Sequence, residues 1–312
     1  MRIVFCGTPS FAVPALRTLL GDPQFNLLGV ITQPDRPRGR GRKVSVSPVK
    51  QTALAANIPV HQPEKIRAPE AQRLLADLAP DCVVIIAYGQ IIPARLLPIP
   101  KFGWINLHAS LLPKYRGAAP INWAIADGET KTGLTTMRID AGMDTGEMLL
   151  QREIAIGPSE TTPELAARMA EAGAPLILET LRGLLAGTLV STPQDHALAT
   201  TAPLLKKEDG RIDWNRSAPE IFNRMRAFTP WPGSFTTFRG ESCQLWGEPA
   251  SGLKTLDPAG TLNIETGGLL VACGDATVLR VLRVQLQGRK QVSAKEFAGG
   301  ARLARIELFG NT

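Results

Sequence analysis

Short apolar runs alternate with segments of helical period through the first half of the chain. Residues 3–6 make an apolar run of strand length, residues 11–20 repeat with a helical period, and residues 27–31 make a second strand. Residues 68–78 are helical, with Leu74, Leu75 and Leu78 on one face. Asp81 then precedes the run Cys82-Val-Val-Ile-Ile-Ala, whose unbroken apolar character fits a central parallel strand covered on both faces. Residues 104–108 and 135–139 continue the series. Such alternation predicts an α/β class fold, a doubly wound and mostly parallel sheet. Ligands in sheets of this kind bind beyond the carboxyl ends of the strands.

Residues 161–185 read as a long helix entered through Thr162-Pro163, which Gly173 and Pro175 are expected to kink or split. From about residue 187 the periodicity fades into Thr, Ser, Pro, Lys and Asp. Short strand-like segments at 234–238, 268–273 and 277–284, separated by glycine-rich turns, then predict a small β-barrel or sandwich. The expected organisation is a first domain over 1–189, a linker over 190–208 and a second domain over 209–312.

Composition narrows the class without deciding it. Of 312 residues, 44% are hydrophobic and 20% charged, as in ordinary globular proteins, and the net charge of +7 favours a polyanionic partner. Cys6, Cys82, Cys243 and Cys273 show no paired spacing and are expected as buried free thiols. The chain opens on a strand rather than an apolar leader, and no stretch approaches the length of a membrane span. A cytoplasmic protein with no membrane partner is the expectation. Gly7 lacks the companion glycines of a dinucleotide fingerprint, and no phosphate-binding loop of the nucleotide triphosphatase type occurs.

The candidate chemistry lies in NLHASLLPKYRG, residues 106–117. Asn106 and His108 alternate on a strand and therefore share one face at its end. Asp144, in DAGMDTGE, is the candidate third member. A histidine moves protons near neutral pH, a carboxylate beside it stabilises the imidazolium, and an amide can hydrogen-bond a developing oxyanion. The three together suit addition of an amine to a carbonyl carbon without a covalent nucleophile. The spacing equally allows a structural strand-end histidine with Asp144 in a turn. A metal site on His108, Asp140 and Asp144 is disfavoured because no further histidine joins them, and none is expected.

A second feature is PDRPRGRGRK, residues 34–43, where Arg36, Arg38, Arg40, Arg42 and Lys43 surround one acid, Asp35. Interleaved Gly and Pro predict an irregular, projecting loop rather than a helix, suited to phosphate contacts or simply solvated. Lys206, Lys207, Arg211, Arg216, Arg224 and Arg226 could extend a basic track beyond it.

These motifs carry a family resemblance over nearly the whole chain. GTPSFA, TQPDRP, GRGRK, SPVK, VVIIAYGQIIP, NLHASLLPKYRGAAPIN, DAGMDTGEM, KKEDGRIDW, AFTPWPGSF and QGRKQVSAKEF together resemble the methionyl-tRNA formyltransferase family. The resemblance implies a formyltransferase-type Rossmann-like domain and a C-terminal OB-like barrel that helps to hold tRNA. It implies 10-formyltetrahydrofolate as formyl donor, initiator methionyl-tRNA as acceptor and partner, and a monomer. Asn106, His108 and Asp144 match the family's catalytic trio. Ser110, Leu111, Leu112 and Pro113 match its folate-binding segment, with Ala87, Tyr88, Gly89, Asp140 and Gly142 also expected at the folate. Its tRNA-binding inserted loop falls on residues 34–49, so Arg36, Arg38, Arg40, Arg42 and Lys43 are expected at the acceptor, with Lys206 and Lys207 beyond. One departure stands out: Leu204 occupies a linker position that is often lysine in that family. The motif SLLPKYRG is shared with formyltransferases acting on small amines such as amino-sugar nucleotides. The basic loop and second domain favour tRNA. A non-catalytic RNA-binding protein would be expected to have lost the trio, and all three residues are present.

Overall fold

The computed structural model describes residues 1–38, 43–265, 268–303 and 307–310. The chain divides into two compact units. The first holds Met1–Pro120, Lys131–Ala155 and Glu164–Pro203, and the second Ile121–Thr130, Ile156–Pro163 and Leu204–Thr312.

The elements of the first half run β1 (Arg2–Gly7), α1 (Val13–Leu20), β2 (Asn26–Ile31), β3 (Arg36–Arg38) and β4 (Lys43–Ser45). Then come α2 (Pro48–Ala55), β5 (Val60–His61), α3 (Pro69–Leu78), β6 (Cys82–Ile86), β7 (Trp104–His108) and β8 (Arg116–Gly117). These are followed by α4 (Pro120–Ala126), β9 (Lys131–Arg138), β10 (Met148–Ala155), α5 (Thr162–Ala186) and β11 (Thr201–Ala202). The main sheet has the order β10-β9-β7-β6-β1-β2-β5. β7, β6, β1, β2 and β5 are parallel, while β9 and β10 run antiparallel at one edge. Strand order reverses at β1, which leaves a crevice beyond the carboxyl ends of β1 and β6. β6 is buried along its whole length, as its unbroken apolar run requires.

Two local expectations change. Residues 162–186 form one uninterrupted helix despite Gly173 and Pro175. Gly173 is a packing notch: a Cβ there would lie 2.5 Å from Leu107 Cδ2 in β7, so glycine lets α5 press against the sheet. Beside Pro175, the Ala172 carbonyl accepts from Arg152 Nη1 (3.3 Å). The basic stretch is also not an irregular loop throughout. β3 and β4 pair antiparallel, Arg36 opposite Ser45 and Arg38 opposite Lys43, in a two-stranded ribbon. Backbone pairing here overrides the low strand propensity of an Arg-Pro-rich sequence. Arg40 and Arg42 lie outside the described residues.

The second unit adds α6 (Ala218–Ala227), β12 (Phe235–Phe238), β13 (Glu241–Pro249), β14 (Leu262–Glu265), β15 (Gly268–Ala272), β16 (Val278–Leu286), β17 (Val292–Ser293) and α7 (Ala294–Ala301). An antiparallel sheet runs β12-β13-β16-β15-β14, with β17 on β16. Residues 308 and 309 bridge both of its edges: Phe309 pairs with Phe238 at the end of β12, and Leu308 with Thr261 next to β14. The core is aromatic, with Trp214 stacked on Phe309 at 5.7 Å and Phe297 edge-on to Phe238 at 5.0 Å. α6 and α7 each begin with a capping box, Ser217 with Glu220 and Ser293 with Glu296.

All four cysteines are buried and free, and burial pushes the Cys82 thiol up to about 12. Among the described residues no helix is long and apolar enough to cross a membrane, and no group of three or more potential ligands gathers for a metal.

Candidate active site

β7 places the two polar members of its motif by alternation. Ile105 and Leu107 lie on one face, Leu107 against α5, and Asn106 and His108 on the other. His108 is 5% exposed at the carboxyl end of the strand, where a neutral ring with no partner would be costly. Its Nε2 lies 2.9 Å from the Tyr115 carbonyl oxygen, and its Nδ1 lies 3.6 Å from Asp144 Oδ2. Both ring nitrogens thus face oxygen acceptors, one within hydrogen-bond distance and the other just beyond it. Asn106 is half-buried, and no other described group hydrogen-bonds its side-chain amide.

Asp144 is in the left-handed region (φ 53°), and no helix follows it. Its carboxylate accepts from the Gly117 N–H at 2.9 Å, and its own carbonyl accepts from Gln194 Nε2 at 2.8 Å. Gln194 also donates to the Gly146 carbonyl (2.7 Å) and accepts from Arg116 Nε (3.0 Å) and Nη2 (2.7 Å). Gly117 must be glycine: φ is 122°, and a Cβ would stand 2.7 Å from the Ala202 carbonyl oxygen of β11. Tyr115 (φ 60°) and Ala87 (φ 48°) also adopt left-handed backbone.

Gly117 and Gln194 are the supports that sequence reading missed. Gly117 was visible as the glycine of YRG. Gln194 sits in the stretch expected as a linker, but that stretch is ordered: β11 pairs with β8, and Gln194 is only 6% exposed. Polar residues without periodicity carry no signal of burial, which explains the miss.

The segment 110–113 divides by role. Ser110 is fully buried, its hydroxyl donating to the Lys114 carbonyl at 2.6 Å, and Leu112 is 3% exposed. Both therefore brace the turn, while Leu111 and Pro113 remain half-buried. Thr135 and Gln151 pin the turn from β9 and β10: Thr135 Oγ1 donates to Ser110 O (2.7 Å), and Gln151 Nε2 to Leu112 O (2.9 Å). Gly133 leaves room for the Leu111 side chain, which a Cβ would strike. After β6, the Tyr88 ring is buried in the core with its hydroxyl unpartnered, whereas Ala87 and Gly89 are exposed. The Tyr88 carbonyl accepts from Thr8 Oγ1 (3.3 Å) and Gln33 Nε2 (3.0 Å), across the crevice at the switch point. Asp140 forms an exposed turn with the Gly142 N–H (2.9 Å) and the Thr145 hydroxyl (2.7 Å).

The expected basic positions differ from one another. Arg36 is exposed, 3.8 Å from Glu64 across an exposed pair of little energetic weight. Lys206 and Lys207 are exposed, and Leu204 is 72% exposed, so the apolar side chain at the often-lysine position faces solvent. The extended track is weaker than the residue types suggest. Arg226 is 6% exposed and donates to the carbonyls of Gly157 (3.0 Å) and Glu160 (2.9 Å), a structural use of its charge. Arg211 and Arg216 pair with Glu208, Asp213 and Glu220, while Arg224 lies over the rings of Phe228 and Trp123.

The chain that carries this strand-end imidazole, carboxylate and amide matches the formyl transferase family over residues 1–181 and its C-terminal domain over 204–302, and so belongs to the formyl transferase class. The fold is shared with WlaRD, a sugar 3N-formyl transferase determined with dTDP and 5-N-formyl-THF: TM-score 0.65 at 18% identity, covering 93% of this chain and 99% of that one. Methionyl-tRNA formyltransferase of Koribacter versatilis is 54% identical over 303 residues, 97% of this chain and 96% of the relative. That of Solibacter usitatus is 52% identical over 311 residues, 99% of both. The chain belongs to the methionyl-tRNA formyltransferase family.

Proposed function

We propose that this chain transfers the formyl group of 10-formyltetrahydrofolate to the α-amino group of methionine on initiator tRNA, with Asn106, His108 and Asp144 as the catalytic residues. The observation that carries the site assignment is His108 held between Tyr115 O and Asp144 Oδ2, with the Asn106 amide on the same strand face and without a hydrogen bond among the described residues. The donor supplies an activated formyl carbon attached to N10. The methionyl amine, with a pKa near roughly 7.7 or below, is neutral often enough at pH 7 to attack that carbon directly. A C–N bond forms, and negative charge develops on the formyl oxygen of a tetrahedral intermediate. Asn106 donates to that oxygen, and the positive charge of the His108 imidazolium, held between Tyr115 O and Asp144, stabilises it through space. Asp144 holds the imidazolium and, through it, the proton balance as the N10–carbon bond breaks and N10 takes up the proton lost by the amine. No covalent enzyme intermediate is required.

The donor surface in this reading comprises Leu111, Pro113, Ala87, Gly89, Asp140 and Gly142, with Ser110, Leu112 and Tyr88 bracing it from behind. The acceptor meets Arg36, Arg38, Arg40, Arg42 and Lys43 of the basic stretch, and Lys206 and Lys207. The catalytic region takes in 1–189 together with the ordered segment 190–203 expected as linker, the tRNA-binding region lies in 204–312, and the protein works as a cytoplasmic monomer. His108→Ala should lower turnover by at least about two orders of magnitude while tRNA affinity stays within about twofold. Wild-type turnover in that variant would sink the assignment. Parallel assays with charged initiator tRNA and with an amino-sugar nucleotide decide the acceptor.

A further inference from the structure

The basic ribbon leaves the sheet through a closed ring of polar groups. Lys50 Nζ, on α2, donates to Asp35 Oδ2 at 2.5 Å and to Gln62 Oε1 at 2.7 Å. Gln62 Nε2 donates in turn to Asp35 Oδ1 at 3.0 Å and to the Gln33 carbonyl at 2.9 Å. Asp35 immediately precedes β3, and Lys50 follows β4 by five residues, so the ring joins both legs of the ribbon. Ser47 anchors the second leg again: its hydroxyl caps α2 by accepting from the Lys50 N–H and lies 2.9 Å from the Thr32 hydroxyl. The acid of PDRPRGRGRK is therefore directed inward to Lys50. Hydrogen bonds from Lys50 and then Gln62 hold its carboxyl below the usual carboxylate range. The Lys50 and Asp35 side chains are only 19% and 23% exposed, unlike the surface pair Arg36–Glu64 at 66% and 79%. A ring of this kind limits the angles at which a two-stranded ribbon can project; among the described residues β3 and β4 pair with each other and not with the main sheet.

We propose that Lys50, Asp35 and Gln62 are positioning residues for the acceptor: they fix the exit angle of the ribbon so that its cations meet the tRNA in register with His108. The proposal rests on the reading of the ribbon as an acceptor-binding element. None of the three needs to touch tRNA. Their loss should misplace the phosphate contacts without removing any.

The test compares Gln62→Leu, Asp35→Asn, Lys50→Met and Lys50→Arg with a ribbon variant, Arg36→Ala/Arg38→Ala. Steady-state formylation of charged initiator tRNA is measured over a range of salt concentrations, with thermal unfolding of each protein recorded alongside. Gln62→Leu, Asp35→Asn and Lys50→Met should raise the acceptor KM about tenfold, as misplacement of a binding element does. The slope of log KM against log salt should stay that of the native protein, because no phosphate contact is lost. The donor KM should stay within about twofold, since Gln33 keeps its bond to Tyr88, and Lys50→Arg should restore acceptor KM to within about threefold. The ribbon variant should instead flatten the salt slope. A ribbon variant with raised KM beside ring variants with unchanged KM overturns the positioning role alone. An unchanged KM and slope in the ribbon variant refutes the acceptor reading itself, and the proposal with it. Asp35→Asn is isosteric and carries the test if Gln62→Leu does not fold.

Discussion

Gln194 touches neither substrate in the proposed mechanism, yet it should govern turnover. It donates to the carbonyls of Asp144 and Gly146, 2.8 and 2.7 Å away, and anchors to Arg116 through its own oxygen. Gln194→Ala removes two neutral hydrogen bonds, each contributing about 1 kcal/mol, and a forked pair from the Arg116 guanidinium to one oxygen, together contributing about 2 kcal/mol. Because the groups form one network the losses do not add, and about 3 kcal/mol is a reasonable total. Asp144 sits at φ 53°, a conformation that costs a non-glycine residue about 1 kcal/mol, so the loop has a reason to relax once released. If roughly 1.4–2.7 kcal/mol of that order is lost, the fraction of molecules with Asp144 beside His108 falls, and turnover falls about 10- to 100-fold. The assay is single-turnover formylation with both substrates saturating, accompanied by equilibrium tRNA binding, which should change less than about twofold. A second arm places Gln194→Ala on an Asp144→Asn background. A positioning role predicts almost no further loss there, whereas a general stability defect multiplies through. Native turnover in the single variant, or a fully multiplicative loss in the double, would refute the reasoning.

Gly173→Ala should destabilise the protein by roughly 1 kcal/mol, although alanine normally favours a helix by about that much, because overpacking Leu107 costs about 1–3 kcal/mol. A urea midpoint that rises in the variant would show that the notch is not needed. Burial lowers the pKa of the His61 imidazole below its ordinary 6.5, and its Nε2 is buried without a partner. Below about pH 6.5 the unfolded chain therefore gains a proton that the folded chain resists, so stability should fall as pH drops and be fully present above that value. His61→Leu should shrink the difference in urea midpoint between about pH 7.5 and pH 5.5, and an unchanged difference would rule out His61 as its source.

Much of the first unit was legible because its strands are apolar on both faces and its helices on one. Residues 82–86 could hardly be anything but a central strand, and 68–78 showed its buried face directly. β10 escaped notice, since MLLQREIA at a sheet edge alternates only weakly between half-buried and exposed positions. The break expected at Gly173 and Pro175 failed for a related reason. Propensity describes a helix in water, whereas α5 is held against β7 by packing that uses the glycine. Arg226 shows the same limit for charge, because nothing in the residue type reveals that its guanidinium bonds buried carbonyls.

The residue types of the proposed site were legible in the sequence alone. Alternation on one strand puts Asn106 and His108 on a common face whatever surrounds them, and the motifs name the donor and the family. Contact between residues far apart along the chain was decided by tertiary structure. Asp144 reaches His108 because Gly117, 27 residues before it, and Gln194, 50 residues after it, grip its loop from two sides. The physical reason is range: strand alternation is enforced by local backbone sterics, but a hydrogen bond between distant segments exists only once the core has set both backbones in place.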